Sequence, residues 1–187
     1  RTWYVAPPAP TITQAVGGSC LTPDILGIGN AIDASGPGDT IIVCDGIYDE
    51  GFLSLDGHDH DGLTIRAQNQ WAATLRAPYE GSGGTMLEIA DADGVTITGL
   101  RFRGRNACGS GVGTVILVRD ARDVDLRANR FAGGKDSVAS GCGFAYAVQT
   151  EQTTGRIRYN LVTDWTYWGI FAASADTDGG RLRITEN

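Results

Sequence analysis

A short motif returns along this chain about every 30 residues, and it limits the fold more than any other feature. L-T-I-R-A-Q begins at Leu63, V-T-I-T-G-L-R-F at Val95 and V-D-L-R-A-N-R-F at Val124; G-R-I-R-Y-N-L-V follows at Gly155 and L-R-I-T-E-N at Leu182. Their central apolar residues are Ile65, Ile97, Leu126, Ile157 and Ile184, at spacings of 32, 29, 31 and 27. Three residues further on stand Gln68, Leu100, Asn129, Asn160 and Asn187. A second set of alternating segments lies between them, starting at Phe52, Thr85, Thr114, Phe144 and Ile170. Period-two alternation bounded by Gly/Asp turns marks strands, at least two in each unit. An all-strand unit of this length winds as a parallel β-helix, with inward residues of successive coils stacked in rows. The Ile/Leu row is one such ladder. Asn and Gln at one turn position form another through their side-chain amides. A β-sandwich, the structural rival, would not repeat in register at this interval.

The expected fold class is therefore all-β: a parallel β-helix of about five coils with an N-terminal capping helix. Residues 1–38 supply a strand and that helix, and residues 39–187 the coils, in one domain. The helix is expected from Thr22-Pro23-Asp24, which reads as N-cap, N1 proline and acidic first turn. Ile25, Ile28 and Ile32, with Leu26 and Ala31, line one of its faces, and Gly36-Pro37-Gly38 stops it. The chain ends at Asn187 part-way through a coil, so further coils or a protein partner are expected at that end.

Composition excludes some partners. A net charge of −7 argues against nucleic acid and anionic membranes, which need a basic surface. No apolar run approaches the ~18 residues of a membrane span. The chain starts at Arg1 without a leader, so an export signal is expected to have been removed. Its four cysteines form no C-x-x-C motif. Cys20 and Cys44 flank the helix region, while Cys108 and Cys142 fall in Gly/Ser-rich loops of successive units. Two disulfides, Cys20–Cys44 and Cys108–Cys142, and a secreted or surface location are expected, although four cysteines allow three pairings.

One long segment carries a family resemblance. W-Y-V-A at residues 3–6 and A-I-D-A-S-G-P-G-D-T-I-I-V-C-D-G-I-Y-D-E from Ala31 to Glu50 resemble the opening of secreted right-handed parallel β-helix proteins. That superfamily is similar to pectate lyases and carries a P-G-D-T-I-x-V…G-x-Y-x-E signature, which L-T-I-R-A and V-T-I-T-G-L also fit. The resemblance implies the fold over essentially the whole chain. For function it implies only a broad range, from polysaccharide lyases and hydrolases to adhesins, because fold does not decide function.

Candidate chemistry rests on particular residues. Arg66, Arg101, Arg103, Arg127, Arg130, Arg156, Arg158, Arg181 and Arg183 are nine of fifteen basic residues, and their segments hold two acids, Asp125 and Glu186. They are expected on one sheet or its edge. Stacked arginines grip carboxylates or sulfates in bidentate fashion, which would suit an acidic polysaccharide with Arg66, Arg101, Arg130, Trp165 and Trp168 in contact. Paired with turn aspartates, they would only solubilise a sheet. The resemblance implies a second reading, polysaccharide lyase, with Lys135, the only lysine, as base and Arg127 or Arg158 as partner. Asp91, Asp93, Asp120 and Asp123 align in adjacent units and either hold Ca²⁺ or cap turns. Asp176-Thr177-Asp178-Gly179 resembles the N-T-D-G of polygalacturonase-like hydrolases, whose other motifs are missing. His58 and His60 are the only histidines, and Trp165, Tyr167 and Trp168 crowd one loop, with Trp71 elsewhere. The first functional reading is an extracellular module that binds acidic polysaccharide. Lyase activity is the alternative, and assembly through the open end is the third.

Overall fold

The computed structural model describes residues 1–8, 18–76, 84–103, 113–132, 144–163, 168–173 and 181–187, with only the backbone of 144, 145 and 168. Lys135, Cys108, Cys142, Trp165, Tyr167 and the 176–179 segment lie outside the described residues.

Two strands, β1 (Thr2–Ala6) and β2 (Ile25–Leu26), precede the helix α1 (Ile28–Ala34). Five coils of three strands follow among the described residues. They are β3 (Thr40–Val43), β4 (Gly46–Tyr48) and β5 (Leu53–Asp56) in the first, then β6 (Thr64–Ala67), β7 (Ala73–Arg76) and β8 (Thr85–Ala90). The third holds β9 (Thr96–Thr98), β10 (Arg101–Arg103) and β11 (Gly113–Arg119), the fourth β12 (Val124–Arg127), β13 (Arg130–Ala132) and β14 (Phe144–Glu151). The fifth holds β15 (Gly155–Arg158), β16 (Leu161–Thr163) and β17 (Trp168–Ala173), and β18 (Leu182–Thr185) starts another turn. These strands form three parallel sheets: sheet 1 in the order β18-β15-β12-β9-β6-β3-β1-β2, sheet 2 β16-β13-β10-β7-β4, and sheet 3 β17-β14-β11-β8-β5.

The expected repeat is thus a coil, and the expected rows are its core. Trp3, Ile41, Ile65, Ile97, Leu126, Ile157 and Ile184 are register partners along sheet 1. Tyr48, Leu75, Phe102, Phe131 and Val162 make the corresponding row of sheet 2, where Phe102 and Phe131 stack with centroids 5.1 Å apart. Sheet 3 contributes Leu53, Leu87, Ile116, Val148 and Ile170. The amide ladder forms at Asn129, Asn160 and Asn187. Asn129 Oδ1 accepts from the Leu100 N–H at 3.0 Å, and Asn160 Oδ1 accepts from the Asn129 N–H at 3.0 Å. Each amide nitrogen reaches back one coil, Asn129 to Ile97 O and Asn160 to Leu126 O, both at 2.9 Å. Leu100 ends the ladder, and Gln68 is exposed.

Left-handed backbone turns the corners. Gly38, Gly62 and Gly94 have φ near +70° and stack so closely that a Cβ on Gly94 would lie 3.5 Å from Gly62 Cα. At the corner between sheets 1 and 2 the residue before each ladder position takes the same conformation: Gly99, Ala128, Tyr159 and Glu186.

Each unit contains three strands, within the expectation of at least two, because segments such as V-D-L-R-A-N-R-F are broken by the left-handed corner at Ala128 into two strands on different sheets. One expectation of the fold needs correction: the helix starts later than Thr22-Pro23-Asp24 suggests. Ile25 and Leu26 pair with Val5 and Ala6, and a backbone held in a ladder cannot also be helical. Asp24 accepts from the Tyr4 and Gly18 N–H groups, and Glu50, distant in sequence, takes the Ile28 and Gly29 N–H groups at 2.8 Å each. Ile28, Ala31 and Ile32 are buried in the same core as the first coil.

Cys20–Cys44 is a disulfide with Cα atoms 5.5 Å apart. Beside it, buried Tyr48 lies 2.8 Å from the carbonyls of Val5 and Cys44, to which its hydroxyl donates. Among the described residues no helix is long and apolar enough to cross a membrane.

Candidate functional site

Strand register decides which arginines meet which acids. The expected single stripe is divided: Arg66, Arg127, Arg156, Arg158 and Arg183 stand on sheet 1, while Arg101, Arg103 and Arg130 stand on sheet 2. Arg181 immediately precedes β18. The bend at Gly99 and Ala128 causes the split, since it turns the chain between the two arginine positions of each motif.

On sheet 1 the arginines named for catalysis converge on one carboxylate. Arg158 donates to Asp125 through Nε at 3.3 Å and Nη2 at 2.9 Å, and Arg127 Nε lies 3.7 Å from the same acid. The Asp125 bonds hold the Arg158 guanidinium even more firmly protonated than usual. Arg66 is exposed on the same row as Arg127, with Thr98 between them.

Sheet 2 differs. Its outer row runs Ile47, Thr74, Arg101, Arg130 and Leu161 and contains no acid. Next to it lie Asp49, Arg76, Arg103, Ala132 and Thr163, where Arg76 pairs with Asp49 and Arg103 is exposed. Arg101 and Arg130 face each other across adjacent strands with no ion pair among the described residues. Their Nε atoms and Thr163 Oγ1 are buried without a hydrogen-bond partner, and all three belong to this one sheet. No such grouping was apparent in the sequence. The signal that would have found it is the absence of an acid at the register positions flanking Arg101 and Arg130.

On sheet 3 Arg119 Nε bonds Glu88 at 2.6 Å, and Tyr146 and Phe171 touch with ring centroids 5.3 Å apart. Trp168 lies in β17 of that sheet. Trp71 donates to Ala128 O at 2.7 Å.

Of the four turn aspartates, Asp93 is occupied with backbone. Asp91, Asp120 and Asp123 hold left-handed conformations, which aspartate tolerates better than most residues. Asp61 Oδ1 accepts from the Asp93 N–H at 2.7 Å, and Asp93 Oδ1 accepts from the Arg122 N–H at 2.7 Å. Among the described residues no three acidic, histidine or cysteine side chains gather as a metal site. His58 Nδ1 lies 3.1 Å from Asp61, and His60 Nδ1 lies 3.1 Å from the Asp56 carbonyl.

No protein-family model matches the chain, and no curated protein matches it. Among solved structures it is similar to a PL6 family alginate lyase, AlyGC, at 20% identity and a TM-score of 0.51, covering 100% of this chain. The chain spans 28% of that lyase's length. Pectin methylesterase PemA from Erwinia chrysanthemi aligns over 83% of this chain and 55% of its own, at 12% identity and a TM-score of 0.41. A pectin methylesterase mutant in complex with a hexasaccharide aligns over 90% of this chain and 68% of its own, at 12% identity and 0.43. Three parallel sheets, coil-to-coil rows and the likeness to the lyase agree on the architecture: the chain is a right-handed parallel β-helix.

Proposed function

We propose that the chain is an extracytoplasmic β-helix module that binds acidic polysaccharide along the outer face of sheet 2. One observation carries this reading: Arg101 and Arg130, both half-buried, stand side by side in adjacent coils, in a row that contains no acid among the described residues. Guanidinium groups take carboxylates and sulfates in bidentate fashion. Adjacent strands stand roughly 4.8 Å apart, which sets cations in series along the solenoid axis, as a polymer with one acid per sugar requires. The whole chain's net charge of −7 discourages indiscriminate polyanion binding. Alginate and pectin, named for the similar structures, are polymers of this class, and the Cys20–Cys44 disulfide suits an oxidising compartment.

The test is retention of the 187-residue chain on alginate and polygalacturonate gels, with dextran as the neutral control. The double variant Arg101→Gln/Arg130→Gln should weaken retention about tenfold or more, and Arg66→Gln should change it little. Equal retention of the double variant and the parent would refute the site. The lyase alternative, with Lys135 as base, predicts a growing ultraviolet absorbance from unsaturated uronate ends in the same mixtures.

A further inference from the structure

A cavity of about 360 Å³ lies between α1 and the β4–β5 connection, bordered by Gly29, Ile32, Asp33, Glu50, Phe52 and Ser54. Its size lies within the usual range for small-ligand sites. Ile32 and Leu53 contribute apolar atoms to a lining that is largely polar. Glu50 is already occupied, because both its oxygens accept from the helix N–H groups. Asp33 and Ser54 are exposed, and their side chains make no hydrogen bond among the described residues.

Phe52 sets this cavity apart. Its φ is +52°, a left-handed conformation that a bulky aromatic residue avoids. Like Tyr159 and Glu186 it turns a corner of the coil, here between β4 and β5, and its side chain is 60% exposed. The ring is nevertheless held: a Cβ on Gly84 would lie 2.0 Å from Cε1 and 2.6 Å from Cζ, so one ring edge rests against that glycine. An aromatic side chain that is exposed and fixed at one edge is a stacking surface whose ordering cost has already been met.

We infer that this cavity binds one uncharged pyranose ring of a saccharide. The C–H face of the ring stacks on Phe52, and adjacent hydroxyls donate to the Asp33 carboxylate and exchange hydrogen bonds with Ser54. Among the described residues no cation borders the cavity, and Asp33 repels a uronate, so its preference is opposite to that of the arginine row on sheet 2. The inference stands independently of the proposed polyuronate binding.

Amide ¹H–¹⁵N shifts of Gly29, Asp33, Gly51 and Ser54 in the 187-residue chain read the site directly. The probes are the neutral hexasaccharides of cellulose, laminarin and mannan, beside cationic chitosan hexamer and anionic oligoguluronate. At least one neutral probe should produce saturable shifts of these amides. Phe52→Ala should weaken that binding about fivefold or more, and Asp33→Asn by a smaller factor. Phe52→Gly should abolish it without lowering the urea midpoint, because glycine accepts the left-handed backbone. The inference is overturned if no neutral probe shifts these amides or if only a charged probe does. Survival of binding in Phe52→Ala, or a lower midpoint for Phe52→Gly, also overturns it.

Discussion

Replacing Asn129 by alanine tests how strongly the amide ladder ties one coil to the next. Asn129 is fully buried. The change removes two side-chain hydrogen bonds, from the Leu100 N–H at 3.0 Å and to Ile97 O at 2.9 Å, and leaves the Leu100 N–H unpaired in the core. The bond from its own N–H to Asn160 Oδ1 remains, so the loss is confined to one interval of the stack. At about 1–3 kcal/mol for the stranded donor and about 1 kcal/mol for the second bond, the variant should lose roughly 2–4 kcal/mol. Urea denaturation of the 187-residue chain measures this as a lower midpoint at constant slope. Far-ultraviolet circular dichroism and tryptophan fluorescence must give coincident transitions, since repeat stacks can lose cooperativity. The ladder also predicts a gradient. Asn187 is exposed, although it accepts from both the N–H and the side-chain amide of Asn160 at 3.0 Å. Asn187→Ala should therefore cost well under half of what Asn129→Ala does, because water replaces the lost partner. A loss below about 1 kcal/mol for Asn129→Ala, or equal losses at both positions, would refute this reasoning.

Three further outcomes follow from the same geometry. Burial, with Glu50 and Asp45 adding to it, raises the Tyr48 pKa well above the ordinary tyrosine value of about 10. The folded state then resists deprotonation more than the unfolded chain, so this contribution is intact below pH ~10 and is lost as pH rises beyond it. The urea midpoint should fall above that pH, and less steeply in Tyr48→Phe. Gly155 has φ +133°, and a Cβ there would lie 2.1 Å from Val124 O, so Gly155→Ala should lose more than about 3 kcal/mol or fail to fold, as thermal melts and soluble yield will report. Cys20→Ser/Cys44→Ser opens a link across 24 residues and should cost about 3 kcal/mol by the same denaturation assay, with the coil spectrum retained.

The coil architecture was legible because each coil repeats its pattern. Ile65, Ile97, Leu126, Ile157 and Ile184 recur at nearly one coil length, and the structure stacks them as register partners. The amide row was equally visible, since Asn129, Asn160 and Asn187 hold one position in successive motifs. The third sheet was not. Ala128 and Tyr159 turn the chain through left-handed conformations, and neither residue type signals such a turn as glycine does. The helix start was misread for a related reason. Thr22-Pro23-Asp24 has every local mark of an N-terminus, but pairing of Ile25 and Leu26 with β1 overrides it.

The sequence by itself determined the solenoid, its period and its inward rows, because all of these rest on residue types recurring at fixed intervals, whereas the expected Cys20–Cys44 link was one of three pairings until the structure joined the two cysteines. Tertiary structure alone decided which charges are free. Arg127 and Arg130 lie three residues apart in one motif, yet the Ala128 bend sends one towards Asp125 and sets the other beside Arg101 on a different sheet. Ion pairing depends on what stands one coil away across a corner, and no local pattern encodes that distance. The same holds for Phe52, whose exposed ring is held against Gly84, a residue 32 positions further along the chain.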